Sequence, residues 1–248
     1  SLLLIHNMNL ALSDTSRPKF MVFETVSSSP YPPSIVWSAT SQLECLKSID
    51  PKAPVMLLST SETFTRYNVA LSSGAELAEL TLAYETFGTL NAEGSNAILL
   101  CHGYTSHPHA GDDGGWFKNL MGPGKAVDTD NTVVVCSNML GSAFGSTGPA
   151  SINPAIGVPY GPDFPLYSTK DMIAAQHALI DHLGINQLKA VMGYSYGGHL
   201  TYLWGATYPD RMRALVPIAG VIERKTTTAD IDALRARFAE CPGWKGGH

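Results

Sequence analysis

The sequence predicts an α/β domain whose mostly parallel sheet is flanked by helices, and three observations predict it. Short, continuous apolar runs recur at Ala97–His102, Thr132–Cys136, Leu188–Met192 and Ala214–Ala219, the texture of strands buried on both faces. Between the second and third runs, Ser168–Leu183 sets Met172, Ile173, Ala175, Leu179, Ile180 and Leu183 on one helical face, closed by Gly184. Alternation of such strands with such helices builds a parallel sheet flanked by helices.

Residues 1 to about 60 mix short apolar pieces with clusters such as Ser27-Ser-Ser-Pro-Tyr-Pro-Pro33 and keep no period. They are expected to be an irregular or disordered leader, and residues 61–248 the domain proper. Asn68–Leu71 and Leu77–Glu85 flank Ser-Ser-Gly-Ala as two antiparallel strands flank a hairpin turn. The strands and the helix described above follow, then a helical pattern from Gly198 to Tyr208. A last helix is expected over about Thr228–Ala239.

With 248 residues, 44% of them hydrophobic and 15% charged, the chain can bury one sizeable core. Its net charge of −5 and pI near 5.9, without a Lys/Arg run, provide no field for nucleic acid. No apolar stretch reaches the roughly 18–20 residues that span a bilayer, and the apolar start at Ser1 lacks the basic flank of a signal peptide. Cys45, Cys101, Cys136 and Cys241 form no C-x-x-C pair. Reduced thiols, no zinc and a cytoplasmic location are the expectation.

Gly193-Tyr-Ser195-Tyr-Gly197 is a G-x-S-x-G motif set directly between an apolar strand and a helical pattern. Such a turn is tight enough to exclude side chains at both glycines, and it lifts the serine hydroxyl above the sheet. Free N–H groups at the start of the following helix can stabilise an oxyanion, so Ser195 is the candidate nucleophile. A serine in an ordinary glycine-rich turn is the plainer alternative. A second donor should come from the loop after the Ala97 strand, where His102-Gly103-Tyr104 stands. The backbone N–H groups of Tyr104 and Tyr196 are the oxyanion candidates; a simple tight turn at His102-Gly103 is the competing reading.

Several further stretches carry a family resemblance. They are Leu82-Ala-Tyr-Glu-Thr-Phe-Gly-Thr-Leu-Asn91, Leu100-Cys-His-Gly-Tyr-Thr105, Ser137-Asn-Met-Leu-Gly-Ser-Ala-Phe-Gly-Ser-Thr-Gly-Pro149, Asn153-Pro-Ala, Pro159-Tyr-Gly161, Phe164-Pro165 and Asp171-Met172. Over residues 65–248 the chain resembles the homoserine O-acetyltransferase family of α/β-hydrolases and its esterase-like relatives. The Asn-x-x-Gly-x-x-x-Gly-Ser-x-Gly-Pro run is more specific to that family than the elbow. From the residues alone it is a glycine-rich loop after a strand.

The resemblance implies an α/β-hydrolase fold and a seryl acyl-enzyme cycle, in which Ser195 takes an acyl group from a small-molecule ester or acyl donor. It implies no cofactor, with acetyl-CoA as co-substrate if the enzyme is a transferase. It also implies a catalytic Asp and His, beyond a helical lid, that this chain does not contain. His199 would project from its helix, His248 has no strand to fix it, Asp210 starts a turn, and Asp230 and Asp232 suit a helix start. The chain is therefore expected to be the N-terminal part of the fold, incomplete at its C-terminal side: a fragment, one of two polypeptides, an inactive product or a non-catalytic binder. A homodimer or a complementing C-terminal polypeptide is the expected partner.

Three positions depart from the homoserine-specific pattern: Tyr196 in place of Met, Leu203-Trp204-Gly205 in place of a Glu-Trp-Ala type, and Lys170 in place of Arg. Read as changes lining the acyl pocket, they favour ester hydrolysis slightly over acetyl transfer to an alcohol. Elsewhere, His107 and His109 lack a third ligand at metal spacing. His177 and His182 are expected to be solvated on their helix, and Asp112-Asp113 to form a polar turn.

Overall fold

The hairpin that opens the fold carries two-residue alternation through the middle of its second strand. In β2 (Glu76–Phe87), Leu80, Leu82 and Tyr84 turn to one side and are buried while the residues between them are more exposed. β2 pairs antiparallel with β1 (Ser59–Ala70), closing through Gly74 at φ +86°, a backbone state that glycine adopts without strain. The computed structural model describes residues 59–111, 114–222 and 226–244. The expected leader lies almost wholly outside the described residues.

β3 (Ala97–Cys101) and β4 (Val133–Ser137) are buried at every position, as expected of central strands. With β7 (Ala190–Tyr194) and β8 (Leu215–Ile218) they complete a six-stranded sheet in the order β1-β2-β4-β3-β7-β8. The β4-β3, β3-β7 and β7-β8 pairings are parallel, so the mostly parallel sheet is as predicted. A two-stranded ribbon, β5 (Ile152–Asn153) and β6 (Val158–Pro159), lies in a separate small sheet.

Helix α1 (Thr169–His182) starts at Ser168 with a capping box: the Ser168 N–H donates to Asp171 Oδ2 at 2.7 Å while the Ser168 hydroxyl accepts from the helix start. Asp171 also accepts from the Ser72 N–H at 2.7 Å, which ties α1 to the hairpin turn. Helix α2 is Tyr196–Thr207, and α3 spans Thr228–Ala239, the range the sequence predicted. No helix among the described residues is long and apolar enough to cross a membrane.

The two sheet faces are covered differently. Met172, Ile173, Leu179 and Ile180 of α1 and Leu200 and Trp204 of α2 pack with Leu82, Leu99, Val135 and Val191. On the opposite face Ile98, Leu100, Val134 and Cys136 meet Ala110, Phe117, Met121 and Val127. That second cover comes from turns; no helix forms between β3 and β4 among the described residues. Pro108, Gly111, Gly114, Gly115, Gly122 and Pro123 interrupt any helical run there. By contrast α3 buries none of its residues.

One polar cluster stitches the core. Gln176, 1% exposed, accepts from Trp204 Nε1 at 2.8 Å and donates to Ser137 Oγ at 3.1 Å, with Cys101 Sγ at 3.7 Å. Burial pushes the Cys101 thiol up to about 12, and Cys101, Cys136 and Cys241 are all free.

Candidate active site

The elbow is built by exclusion. A Cβ on Gly193 would stand 2.7 Å from Thr201 Oγ1, and one on Gly197 would stand 2.0 Å from Cys101 O. Glycine at both positions lets the first turn of α2 lie directly on the ends of β7 and β3. Gly198 packs in the same way on Gly220, where an added Cβ would meet the Gly220 Cα at 2.8 Å. Between them Ser195 is held at φ 56°, ψ −114°, outside the regions that side chains favour, at a cost of about 1–3 kcal/mol. Its N–H donates to Ile218 O at 2.9 Å, its hydroxyl makes no capping bond, and the residue is exposed. Such a hydroxyl, at a helix N-terminus and free of structural duty, is placed for attack on a bound carbonyl.

Gly103, in the loop after β3, comes alongside: a Cβ on it would lie 3.9 Å from Ser195 Cβ. Its carbonyl accepts from the Ser106 N–H at 3.1 Å, so the tight turn foreseen as the competing reading is also present. The rings of Tyr104 and Tyr196 meet edge to face, 5.6 Å between centroids. They line a cavity of about 240 Å³ together with Leu140, Phe144, Tyr167 and Met172. Tyr196 donates its hydroxyl toward Met172 Sδ at 3.5 Å. Burial raises the pKa of both Tyr196 and Tyr167, and the neighbouring phenols add to it, so both stay neutral donors.

Of the three departures from the homoserine-specific pattern, only Tyr196 lines this cavity. Trp204 is common to both patterns; of the residues that differ, Leu203 packs half-buried against the core, Gly205 lies against Leu215 and Lys170 is exposed, and none of them lines this cavity. The expectation that these changes line the pocket is corrected on that point.

Among the described residues, none of the considered acids or bases engages Ser195. His199 Nδ1 sits 3.1 Å from Val221 O. Asp210 lies in the short 3-10 turn Pro209–Arg211, and Asp230 accepts from the Thr227 N–H at 2.8 Å as a cap. Asp232 faces Arg235 at 3.8 Å on the surface, and His248 lies outside the described residues.

Sequence reasoning missed Asn138 as an individual. It is fully buried beyond β4, with Oδ1 3.0 Å from His102 Nε2 and with Nδ2 donating to Phe144 O at 3.2 Å and to Ala143 O. Its signal was available, since an amide directly after a wholly apolar strand must find partners inside. His177 is corrected outright: rather than solvated, it stacks on Tyr208 at 4.2 Å and bridges Asp181 and Arg211. His182 is exposed, its ring 5.0 Å from that of Phe64. His107 and His109 lie 6.1 Å apart, and His109 pairs with Glu85 at 2.9 Å beside a separate cavity of about 500 Å³. Among the described residues no group of three or more His, Cys, Asp or Glu is arranged to hold a metal. Asp112-Asp113 lies outside the described residues.

Residues 96–245 match the family described as the alpha/beta hydrolase fold. The homoserine O-acetyltransferase of Symbiobacterium thermophilum is 49% identical over 208 residues, 79% of this chain and 54% of that protein. Among solved structures, the homoserine O-acetyltransferase of Bacillus anthracis superposes with a TM-score of 0.67 at 34% identity, over 77% of this chain and 55% of the other. An acetylester hydrolase from Corynebacterium glutamicum superposes with a TM-score of 0.65 at 32% identity, over 76% and 52%. This chain thus spans about half the length of the curated relatives it matches. The elbow, the strand order that supports it and the match over residues 96–245 agree: the chain belongs to the α/β-hydrolase fold family.

Proposed function

We propose that the chain carries the nucleophile and oxyanion half of an acetyl-transfer site of the homoserine O-acetyltransferase type. Ser195 Oγ attacks the acetyl carbonyl of acetyl-CoA, the thiol leaves, and the hydroxyl of a homoserine-like acceptor then attacks the seryl ester. The backbone N–H groups of Tyr104 and Tyr196 stabilise the oxyanion in both steps. The base that takes the Ser195 proton, and the carboxylate that orients it, are assigned to no residue of this chain.

The observation that carries this reading is Ser195 itself, strained and exposed with its hydroxyl free at the head of α2. The choice of transfer over hydrolysis, reversing the preference drawn from sequence, rests on the relatives. Those matched at 43–49% identity are named homoserine O-acetyltransferases. Ester hydrolysis is the second reading, supported by the acetylester hydrolase neighbour and by Tyr196 in the cavity wall. A non-catalytic binder is the third, and a homodimer or complementing polypeptide would accompany the first two.

Treating the chain and its Ser195→Ala variant with p-nitrophenyl acetate separates them. The expected result is an acetyl group on Ser195 by mass spectrometry, absent in the variant and discharged faster by homoserine than by water. Discharge indifferent to homoserine supports the esterase, acetylation that persists in Ser195→Ala sinks both enzymatic readings, and no acetylation of the isolated chain places the base on polypeptide beyond these residues.

A further inference from the structure

Two cavities meet at one side chain. The smaller, of about 240 Å³, has Tyr104 and Tyr196 in its wall, and the larger, of about 500 Å³, has Glu62, Glu85 and His109. The loop after β3 runs past both, giving residues 104–106 to the first and 107–109 to the second. Of all the residues that line them, Phe144 alone is shared.

Phe144 does not serve the core. It is 58% exposed, and its ring meets that of His107 edge to face at 5.5 Å. Its backbone stands at φ 65°, a region that bulky side chains avoid. That state is held from inside: the fully buried Asn138 donates from Nδ2 to Phe144 O at 3.2 Å and to Ala143 O. Pinning the backbone fixes the direction in which Cβ leaves the chain, and that direction carries the ring to the boundary between the two cavities.

The walls of the smaller cavity decide which part of a substrate suits it. None of its residues carries a formal charge; the phenols of Tyr167 and Tyr196 stand with Met139, Leu140 and Met172. A phosphate, carboxylate or ammonium would give up its hydration there without a counter-charge, whereas a neutral acyl chain gives up little. Past Phe144, the larger cavity offers further apolar wall at Ala83 and Pro108.

We propose that Phe144 is a specificity-determining residue that sets acyl-chain length: its ring closes the smaller cavity off from the larger one, so that short neutral acyl groups fit and chains that must pass the ring do not. This rests on the acyl-enzyme reading of Ser195, in which the acyl carbonyl sits at the N–H groups of Tyr104 and Tyr196 and the chain behind it enters the cavity those residues line.

The test reads binding, so it does not require that an acyl-enzyme form. In a Ser195→Ala background, NMR titration gives the affinities of p-nitrophenyl octanoate and p-nitrophenyl acetate. Adding Phe144→Ala is expected to raise the octanoate-to-acetate affinity ratio at least about tenfold, the effect of burying about two further methylene groups. Phe144→Gly, which adopts φ 65° freely, should raise it as much, so a poorly folded alanine variant does not decide the outcome. Phe144→Trp keeps the wall and should not raise the ratio. A ratio unmoved by both small replacements, or raised equally by tryptophan, overturns the proposal. Acetylation of Ser195 in the wild-type chain is a separate measurement: its failure counts against the acyl-enzyme reading, while the ratio still reports whether Phe144 is the wall.

Discussion

A Cβ built on Gly193 would stand 2.2 Å from the carbonyl oxygen of Gly197, a separation that non-bonded atoms do not tolerate. The two glycines thus define each other: the strand can end where it does only because the helix begins where it does. Gly193→Ala and Gly197→Ala should each destabilise the chain by about 3 kcal/mol, the upper part of the range for overpacking, because the obstructing atoms are backbone and cannot swing away. Urea unfolding midpoints measure this, and an alanine tolerated at either site contradicts the elbow geometry.

Ser195→Gly should move stability the other way. Glycine adopts a positive φ freely, so relief of strain at φ 56° should outweigh the added freedom of the unfolded chain and gain about 1 kcal/mol. Ser195→Ala removes the hydroxyl equally but keeps the strain. Denaturation of the three proteins side by side tests it, and a glycine variant less stable than the alanine variant refutes it.

Asp171 joins a helix cap to a distant turn, so Asp171→Ala should remove more than a cap. Loss of its bonds from Ser168 and Ser72 predicts about 2 kcal/mol, read from a melting curve. Burial raises its pKa, but the hydrogen bonds from Ser72 and Ser168 outweigh burial and hold it below the usual 3.8. Stability from this group is therefore present above the unfolded value and lost as pH falls through the folded one.

His177 gives a pH dependence of the opposite origin. Burial pushes its pKa below 6.5, Asp181 pulls it up and Arg211 pushes it down again. The neutral ring accepts from Arg211 Nη1 at 2.7 Å, a bond that protonation at Nε2 would abolish. The folded chain binds this proton less readily than the unfolded one, so stability declines as pH drops from 6.5 toward the folded pKa. Melting between pH 7 and pH 5 should fall less in His177→Gln than in the wild type. An equal fall in both removes His177 from the account.

Much of this architecture was legible because its signals are local. Apolar runs located β3, β4, β7 and β8 to within two residues, and the Thr228–Ala239 helix was marked at its start by Asp230, which the structure shows in a capping box with Thr227. Ser195 was legible because a tight turn demands glycines at fixed spacing. What escaped depends on distance in sequence. His177 reads as solvated until Arg211 and Tyr208 arrive from beyond α2, and Asn138 reads as loop until His102 is found against it. The cover over the second sheet face escaped for another reason, since turns that bury Phe117 and Met121 have no period to detect.

Serine at position 195 occupies a backbone state that glycine would occupy more comfortably. The fold thus carries at Ser195 a strain that its own stability does not require, and under the acyl-enzyme reading that strain is what holds one oxygen atom clear of the sheet.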